Sequence, residues 1–211
     1  KIKFVSKRPN FKFRPKVSPH PYSNHNVNRI KMMKTIRRLA VMSVFAFLTI
    51  GCSSLATTQN TLNVEAIQNS EIMNLNHPEA SVFSAGQPTQ EQLTTLGNSG
   101  IKHVVSLRPA SELDWNEQEY VESIDGVTYH NIPIDGAGDI NPVNAASLQS
   151  LLKSFGNEPV LVHCGSSNRV GALAAISEAQ ENGASTDAAV EEGKRWGLTR
   201  LEPAVRAALS E

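Results

Sequence analysis

Cys164 and Arg169 stand at the two ends of a short polar run, and together they could perform nucleophilic chemistry on an anion. The segment reads Val160-Leu-Val-His-Cys-Gly-Ser-Ser-Asn-Arg169, so a wholly apolar run of strand type leads directly into a helix. Amides at a helix N-terminus attract an anion, and arginine can donate to two anionic oxygens at once. The pattern predicts an anion-binding loop with a thiol inside it.

The loop between these two residues is expected to bind the anion through its backbone N–H groups. The same positive field would stabilise Cys164 as a thiolate, which is the nucleophilic form of the side chain. A buried structural cysteine is the plainer alternative, but an arginine near a strand terminus needs an anionic partner. The predicted substrate-binding residues are Gly165, Ser166, Ser167 and Asn168, together with His163, which is expected to orient the loop.

The segments that position this loop alternate between strand and helix patterns. Strand patterns occupy residues 81–85, 101–107, 127–134 and 159–163, and helix patterns occupy residues 89–96, 114–123, 143–155, 169–180, 186–195 and 201–209. Thr89 and Gln92 have the spacing of a capping box. This alternation predicts an α/β fold of three layers, with a central parallel or mixed sheet flanked by helices. Ligands in such sheets bind beyond the carboxyl ends of the strands, where Cys164 stands.

His163-Cys164 followed by Arg169 resembles the phosphate loop of protein tyrosine and dual-specificity phosphatases. Three more segments resemble, in order and spacing, the bacterial branch called beta-lactamase-hydrolase-like phosphatases. They are Phe83-Ser-Ala-Gly-Gln-Pro-Thr89, Val105-Ser-Leu-Arg-Pro109 and Ile132-Pro-Ile134. The resemblance extends over roughly residues 80–177, nearly the whole domain. The resemblance implies a cysteine phosphatase-like fold and hydrolysis of phosphomonoesters through a Cys164 phosphoenzyme, with no cofactor and no metal.

Two departures from the phosphatase pattern keep other functions open. Only four residues separate Cys164 from Arg169, where most phosphatases have five, and the shorter spacing also occurs in rhodanese sulfurtransferases. Val170 stands where phosphatases usually have Ser or Thr to assist the departing thiolate. The alternatives are therefore a rhodanese-like sulfurtransferase or persulfide carrier, and a phosphate-binding lipoprotein without turnover.

A phosphatase also needs an acid that protonates the leaving oxygen. Asp135 is the favoured candidate, because it ends the predicted strand 127–134, where the family's mobile acid loop begins. Asp139 is the second candidate. Both belong to the run Asp135-Gly-Ala-Gly-Asp139, so both could instead be plain turn residues.

Other polar residues near the predicted strand ends have simpler interpretations. Arg108 is expected to brace the site or to close a turn with Pro109. His103 and His130 are expected to lie on strand faces, since nothing in the sequence pairs them into a metal site.

The N-terminal part has the order of a bacterial lipoprotein signal. Basic residues within 34–38 precede a twelve-residue apolar run, residues 39–50, and Gly51-Cys52-Ser53 follows. Twelve helical residues span about 18 Å, short of the roughly 30 Å hydrocarbon core. We expect Cys52 to carry the lipid and to place the protein on the periplasmic face, at the outer membrane of a diderm bacterium. An ordinary cleaved signal or a short anchor is the alternative, and Thr49 departs from the usual Leu.

Charge is divided unequally along the chain. Twelve of the twenty Lys and Arg residues lie within residues 1–38, and the first acidic residue is Glu65. From Ser53 onward eight basic residues stand against twenty acidic ones, which gives a formal charge of −12. A part so acidic is a poor nucleic-acid binder. The expected partners are a phosphate- or sulfur-containing substrate and, through the N-terminal lipid, a membrane.

These patterns divide the chain into four regions. Residues 1–32 carry basic residues and prolines without a hydrophobic period, and we interpret them as disordered or as lying upstream of the true start. Residues 33–52 are the predicted signal peptide with its lipidated cysteine. Residues 53–76, rich in Ser, Thr, Asn and Gln, are predicted to be a polar tether with one weak helix around 64–75. Residues 77–211 are the predicted cysteine phosphatase-like domain.

Overall fold

The structure is a computed structural model that describes residues 61–210. The strands are β1 (Asn76–Glu79), β2 (Val82–Ala85), β3 (His103–Ser106), β4 (Thr128–Asn131) and β5 (Val160–His163). The helices are α1 (Val64–Gln68), α2 (Gln90–Asn98), α3 (Glu117–Glu122), α4 (Pro142–Ser154), α5 (Asn168–Asn182), α6 (Thr186–Arg195) and α7 (Glu202–Ala208). The predicted signal peptide and Cys52 lie outside the described residues. Within residues 61–210 no helix has both the length and the hydropathy needed to cross a membrane.

The five strands form one mixed sheet with the order β1-β2-β5-β3-β4. Strand β5 lies in the centre, parallel to β2 and β3, and β1 pairs antiparallel with β2 at one edge. Ala85 of β2 and Ser106 of β3 both stand opposite His163 of β5. The chain segments that leave these three strands therefore start at the same edge of the sheet, where the Cys164 loop begins.

Two hydrophobic clusters cover the two faces of the sheet. One cluster packs β2, β3 and β5 against α1, α2 and α3, and its buried strand residues are Phe83, Ala85, Val104 and Leu161. The other packs alternate residues of the same strands, among them Val105 and Val162, against α4, α5, α6 and α7. Alternation along a strand sends neighbouring side chains to opposite faces, which is why β2, β3 and β5 each contribute apolar residues to both clusters. The predicted three-layer α/β fold is confirmed.

Each predicted helix and strand of the domain is present; the strands are shorter than predicted, whereas α5 extends beyond both of its predicted ends. The Thr89 hydroxyl accepts from the Gln92 N–H at 3.2 Å and the Gln92 side chain accepts from the Thr89 N–H at 2.9 Å, so the predicted capping box is formed. The predicted helix 114–123 begins only at Glu117, because the Asn116 side chain caps it. The predicted strand 127–134 ends at Asn131, two residues before Pro133.

The structure corrects the prediction of a polar tether from residue 61 onward. Helix α1 lies within the predicted weak helix, and its Ile67 is wholly buried in the cluster that also holds Ile72. The Asn63 N–H donates to the Ser99 carbonyl at 2.8 Å. Burial of two isoleucines outweighs the polar composition that suggested a tether, since each contributes roughly 1.5–3 kcal/mol. The folded domain therefore begins well before residue 77.

Candidate active site

The predicted loop lies at the carboxyl edge of the central strand. Strand β5 ends at His163 and α5 starts at Asn168, so the chain from Cys164 to Ser167 joins a buried strand to a fifteen-residue helix. Cys164 is 1% exposed, and its N–H donates to the Ala85 carbonyl at 3.3 Å. Ser167 has the left-handed φ of 65°, which L side chains adopt rarely and which often marks a functional turn.

The backbone of the loop is arranged to offer amides to an anion. The Gly165 carbonyl accepts from the Gln87 N–H at 3.4 Å, and the Ser166 carbonyl accepts from the Asn74 side-chain amide at 3.1 Å. A trans peptide points its carbonyl and the following N–H in opposite directions, so the Ser166 N–H faces away from Gln87. The N–H groups of Gly165 and Ser166 donate to no residue in the range 61–210, and no side chain caps α5. These amides are available to an anion at the positive end of the helix.

Two predicted substrate-binding side chains instead hold the loop to the turn between α6 and α7. The Ser167 hydroxyl donates to the Trp196 carbonyl at 2.8 Å. The Asn168 side-chain oxygen accepts from the N–H groups of Thr199 at 2.8 Å and Leu201 at 3.3 Å. Both side chains are buried. What Ser167 and Asn168 can offer a substrate is therefore their backbone, because their side chains are occupied by structural contacts.

The packing at this turn is close enough to require glycine. A Cβ on Gly197 would lie 2.5 Å from the Ser167 hydroxyl, and Gly197 has a φ of 100°. A Cβ on Gly171, one turn into α5, would lie 2.1 Å from the Leu198 nitrogen. Val170, which directly precedes Gly171, is wholly buried in the hydrophobic cluster that packs against α4 to α7. The residue that departs from the phosphatase pattern thus serves in core packing.

Arg169 is held by Glu112, a residue that the sequence did not single out. Its Nη1 and Nη2 donate to the two Glu112 carboxylate oxygens at 2.8 and 2.6 Å, and Nη1 also donates to the Ile134 carbonyl at 2.6 Å. The contact with Glu112 raises the pKa of Arg169, and the nearby Cys164 acts in the same direction. The hydrogen bond from Arg169 in turn holds the pKa of Glu112 below its usual value. This two-point contact fixes the plane of the guanidinium beside Cys164.

A buried carboxylate, Glu117 of α3, lies behind the loop. Glu117 is 1% exposed and His163 is wholly buried, and their nearest oxygen and nitrogen are 3.4 Å apart, which is ion-pair distance without hydrogen-bond geometry. Glu117 also accepts from the Gln87 amide at 2.5 Å and from the Tyr129 hydroxyl at 3.2 Å.

These contacts decide which form of the Glu117 carboxyl is present. Burial by itself raises the pKa of Glu117. The neighbouring His163 and Gln87 lower this pKa by a larger amount, so the net value is about 2. For Tyr129, burial and the Glu117 charge raise the pKa to about 12. Glu117 is therefore a carboxylate and Tyr129 a neutral phenol near neutral pH.

Gln87 and Arg108 connect this buried carboxylate to the arginine of the loop. The Gln87 side-chain oxygen accepts from Arg108 Nη1 at 2.7 Å. Arg108 Nε donates to the Glu112 carboxylate at 3.1 Å, and Arg108 Nη2 donates to the Glu112 carbonyl. Arg108 therefore lies between Gln87 and Glu112, a position that suits the bracing role expected for it. A continuous chain of contacts runs from His163 through Glu117, Gln87, Arg108 and Glu112 to Arg169.

The two candidate acids stand on the segment that touches Arg169. Asp135 follows Ile134, whose carbonyl accepts from Arg169, and Asp135 is exposed. The Asp139 carboxylate accepts from the Asp135 N–H at 2.7 Å, so Asp139 closes a turn, as the plainer interpretation held. The Asp135 carboxylate makes no hydrogen bond and no ion pair with any of the described residues, 61–210. Of the two, Asp135 has the carboxyl group that is free to act on a substrate.

His103 lies at the start of β3, away from the loop, and the His130 ring of β4 packs against His103 and Phe155. His103 contacts the Thr128 hydroxyl at 2.7 Å and Glu158 at 2.9 Å, and its ring stacks on Phe155. Over residues 61–210, no three His, Cys, Asp or Glu side chains are grouped so that they could hold a metal ion.

Three residues of the site, Gln87, Glu112 and Glu117, were not predicted from the sequence, although each has a feature that could have indicated it. Gln87 belongs to one of the segments that carry the family resemblance, Glu112 stands four residues after Arg108, and Glu117 is an acidic residue at the start of a helix. None of these signals indicates a buried partner. Glu117 and Gln87 are 30 residues apart, and Glu112 and Arg169 are 57 apart.

Comparison with known proteins places the fold. No family model and no curated protein matches the chain. A candidate phosphatase (DUF442) from Shewanella putrefaciens CN-32 is 25% identical, with a TM-score of 0.53 over 70% of this chain and 94% of that chain. A candidate phosphatase from Neisseria meningitidis is 21% identical, with a TM-score of 0.54 over 64% of this chain and 99% of that chain.

A third solved structure is kinase associated phosphatase with its catalytic-site cysteine replaced by serine. It is 14% identical, with a TM-score of 0.52 over 66% of this chain and 96% of that chain. The domain thus shares the α/β fold of these solved structures, and in this chain that fold is a mixed five-stranded sheet flanked by helices.

Proposed function

We propose that the domain is a cysteine-dependent phosphatase that hydrolyses phosphomonoesters. One observation carries the proposal: a buried thiol, unpartnered loop amides and a two-point-anchored arginine converge at the N-terminus of α5. Such an arrangement suits a tetrahedral dianion, because the amides and the guanidinium can share its non-bridging oxygens. The fold shared with candidate phosphatases supports the same conclusion.

The proposed reaction has two steps. The Cys164 thiolate attacks phosphorus, so an S–P bond forms while the bond from phosphorus to the leaving oxygen breaks, and Asp135 gives that oxygen a proton. In the second step water attacks phosphorus and the Asp135 carboxylate takes its proton. The S–P bond then breaks, which releases phosphate and restores the thiolate. Arg169 and the loop amides stabilise the charge on the transferring group in both steps.

A sulfurtransferase is the second candidate, because the loop has four residues between Cys164 and Arg169 and Val170 is buried rather than available to the sulfur. The domain, residues 53–211, would be assayed with an aryl phosphate and with thiosulfate plus cyanide. We expect turnover of the aryl phosphate. Turnover of thiosulfate alone would favour the sulfurtransferase, and binding of phosphate with neither turnover would favour a binding module.

We further propose that Cys52 anchors the protein to a membrane by a lipid, on the periplasmic face. The support is the order of basic residues, apolar run and Gly51-Cys52-Ser53 in the sequence. Two acyl chains supply the two hydrophobic signals that stable anchoring requires. Cys52→Ala should therefore release the protein from the membrane fraction. Recovery of this variant in membranes after a high-salt wash would contradict the proposal.

A further inference from the structure

Gln87 occupies the junction between the two charged parts of the site. Its side-chain nitrogen donates to the Glu117 carboxylate at 2.5 Å and its side-chain oxygen accepts from Arg108 at 2.7 Å. Its backbone N–H donates to the Gly165 carbonyl in the loop. The residue thus touches the loop with its backbone and both charged neighbours with its side chain.

Only an amide of this length satisfies both side-chain contacts. A carboxylate could accept from Arg108 but would face Glu117 with a second negative charge and no donor. An ammonium could donate to Glu117 but could not accept from Arg108. An apolar side chain would leave Glu117, which is nine-tenths buried or more, without its shortest hydrogen bond.

Through its two neighbours Gln87 reaches both ends of the reactive loop. Glu117 pairs with His163, which immediately precedes Cys164. Arg108 grips Glu112, and Glu112 grips Arg169 at two points. These side-chain contacts use no N–H group of residues 165–168, so they can fix the nucleophile and the arginine relative to each other while the loop amides remain available to substrate.

We propose that Gln87 is a positioning residue that sets the placement of Cys164 relative to Arg169 for phosphoryl transfer. The inference rests on the proposed phosphatase function. Misplacement of a reacting group by about 1 Å can lower a rate by about 10²-fold. Since the alignment matters most in the transition state, its loss should lower kcat and leave KM nearly unchanged.

The test compares Gln87→Met and Gln87→Glu with a swapped double variant, Gln87→Glu with Glu117→Gln. We expect kcat for an aryl phosphate to fall about 10- to 100-fold in each single Gln87 variant, with KM within about threefold. The double variant restores one carboxylate and one amide at this contact, and its kcat should be at least about fivefold above that of Gln87→Glu alone. Gln92→Met is the matched control, because the Gln92 amide also makes two contacts, with Thr89 and Ser70, away from the site.

The possible outcomes separate this inference from the proposed function. A wild-type protein without phosphatase turnover would overturn both. Normal kcat in Gln87→Met and Gln87→Glu, with an active wild type, would overturn the inference alone. The inference would also be overturned if the Gln87 and Gln92 variants showed equal changes in kcat, KM and melting temperature and the double variant showed no recovery. Gln87 would then have a structural role only.

Discussion

The reactive loop is held differently on its two sides. Towards α3 and β3 it is held by charged groups, since Glu112 binds Arg169 and Glu117 lies beside His163. Towards the turn between α6 and α7 it is held by neutral groups, the Ser167 hydroxyl and the Asn168 amide, which bind backbone atoms. Under the proposed mechanism, the charged side would position Cys164 and Arg169 for the reaction, whereas the neutral side stabilises the backbone of the loop.

The largest expected effect concerns Asp135, the proposed general acid. Asp135→Asn should lower kcat/KM about 10²- to 10⁴-fold for a phosphate ester with a poor leaving group, because the leaving oxygen then receives no proton from the enzyme. The loss should be much smaller for an aryl phosphate whose phenol leaves easily, and steady-state kinetics with both substrates measures the contrast.

Asp139→Asn is the matched control for this change. Its amide oxygen can still accept from the Asp135 N–H, so the turn should persist and activity should be retained. If Asp139→Asn abolishes activity while Asp135→Asn does not, the assignment of the acid is wrong, although the thiolate mechanism could still hold.

Arg169→Lys should produce the next largest effect, about a 10²- to 10³-fold loss of kcat/KM with a small change in melting temperature. Lysine keeps the charge but loses the planar fork that contacts Glu112 at two points and would contact two phosphate oxygens. Arg206→Lys, which changes an exposed arginine paired with Asp187 and Glu202, serves as the control. Similar kinetics in both variants would contradict the role of Arg169.

The ionised Glu117 carboxylate should make the stability of the fold depend on pH in the acid range. The pKa of Glu117 in the folded protein is about 2, below its ordinary value of 4.5. The ionised group therefore stabilises the fold above pH 4.5, and this contribution is lost as the pH falls towards 2.

Glu117→Gln tests this contribution. The variant should be less stable than wild type at pH 7, and the difference in free energy of unfolding should shrink between pH 4.5 and pH 2. Denaturant unfolding at several pH values measures it, with the exposed Glu119→Gln on the same helix as control. A difference that is constant with pH would refute the ionised state of Glu117.

The smallest effect on chemistry is expected on the neutral side. Asn168→Ala removes the acceptor of two backbone N–H groups, and unfolding free energy should fall by about 1–3 kcal/mol with kcat/KM within about threefold of wild type.

Asn168→Asp should reverse this pattern. The carboxylate still accepts both N–H groups, so stability should persist, but its charge at the start of α5 should weaken anion binding. A large loss of kcat in Asn168→Ala at full stability would break the proposed division between the two sides.

The sequence predicted what is local and missed what is long-range. The capping box of Thr89 and Gln92, the apolar strand β5 and the small residues before α5 are all patterns within a few neighbouring residues, and each was found where predicted. The contact between Glu112 and Arg169 joins the turn after β3 to the first turn of α5, which only the sheet order brings together. Sequence patterns specify which residues form an element, but the partner of a charged side chain depends on the register of the assembled sheet.

The start of the domain was missed for a different reason. The segment around Ile67 and Ile72 is polar apart from isolated apolar residues, and its composition is typical of a linker. In the structure this segment covers one face of the sheet and then passes the loop, where Asn74, with a left-handed φ of 51°, binds the Ser166 carbonyl. A few well-placed isoleucines determine the fold of such a segment more than its mean composition does.

The most direct test of the proposed chemistry is to trap the phosphoenzyme. The protein would be mixed with a radiolabelled phosphomonoester, quenched in acid within the first turnover and digested for peptide mapping. We expect one labelled peptide containing Cys164 from the wild type, a longer-lived label in Asp135→Asn during hydrolysis of an aryl phosphate, and no label in Cys164→Ser. Turnover without any label on Cys164, or wild-type turnover by Cys164→Ser, would contradict the thiolate mechanism.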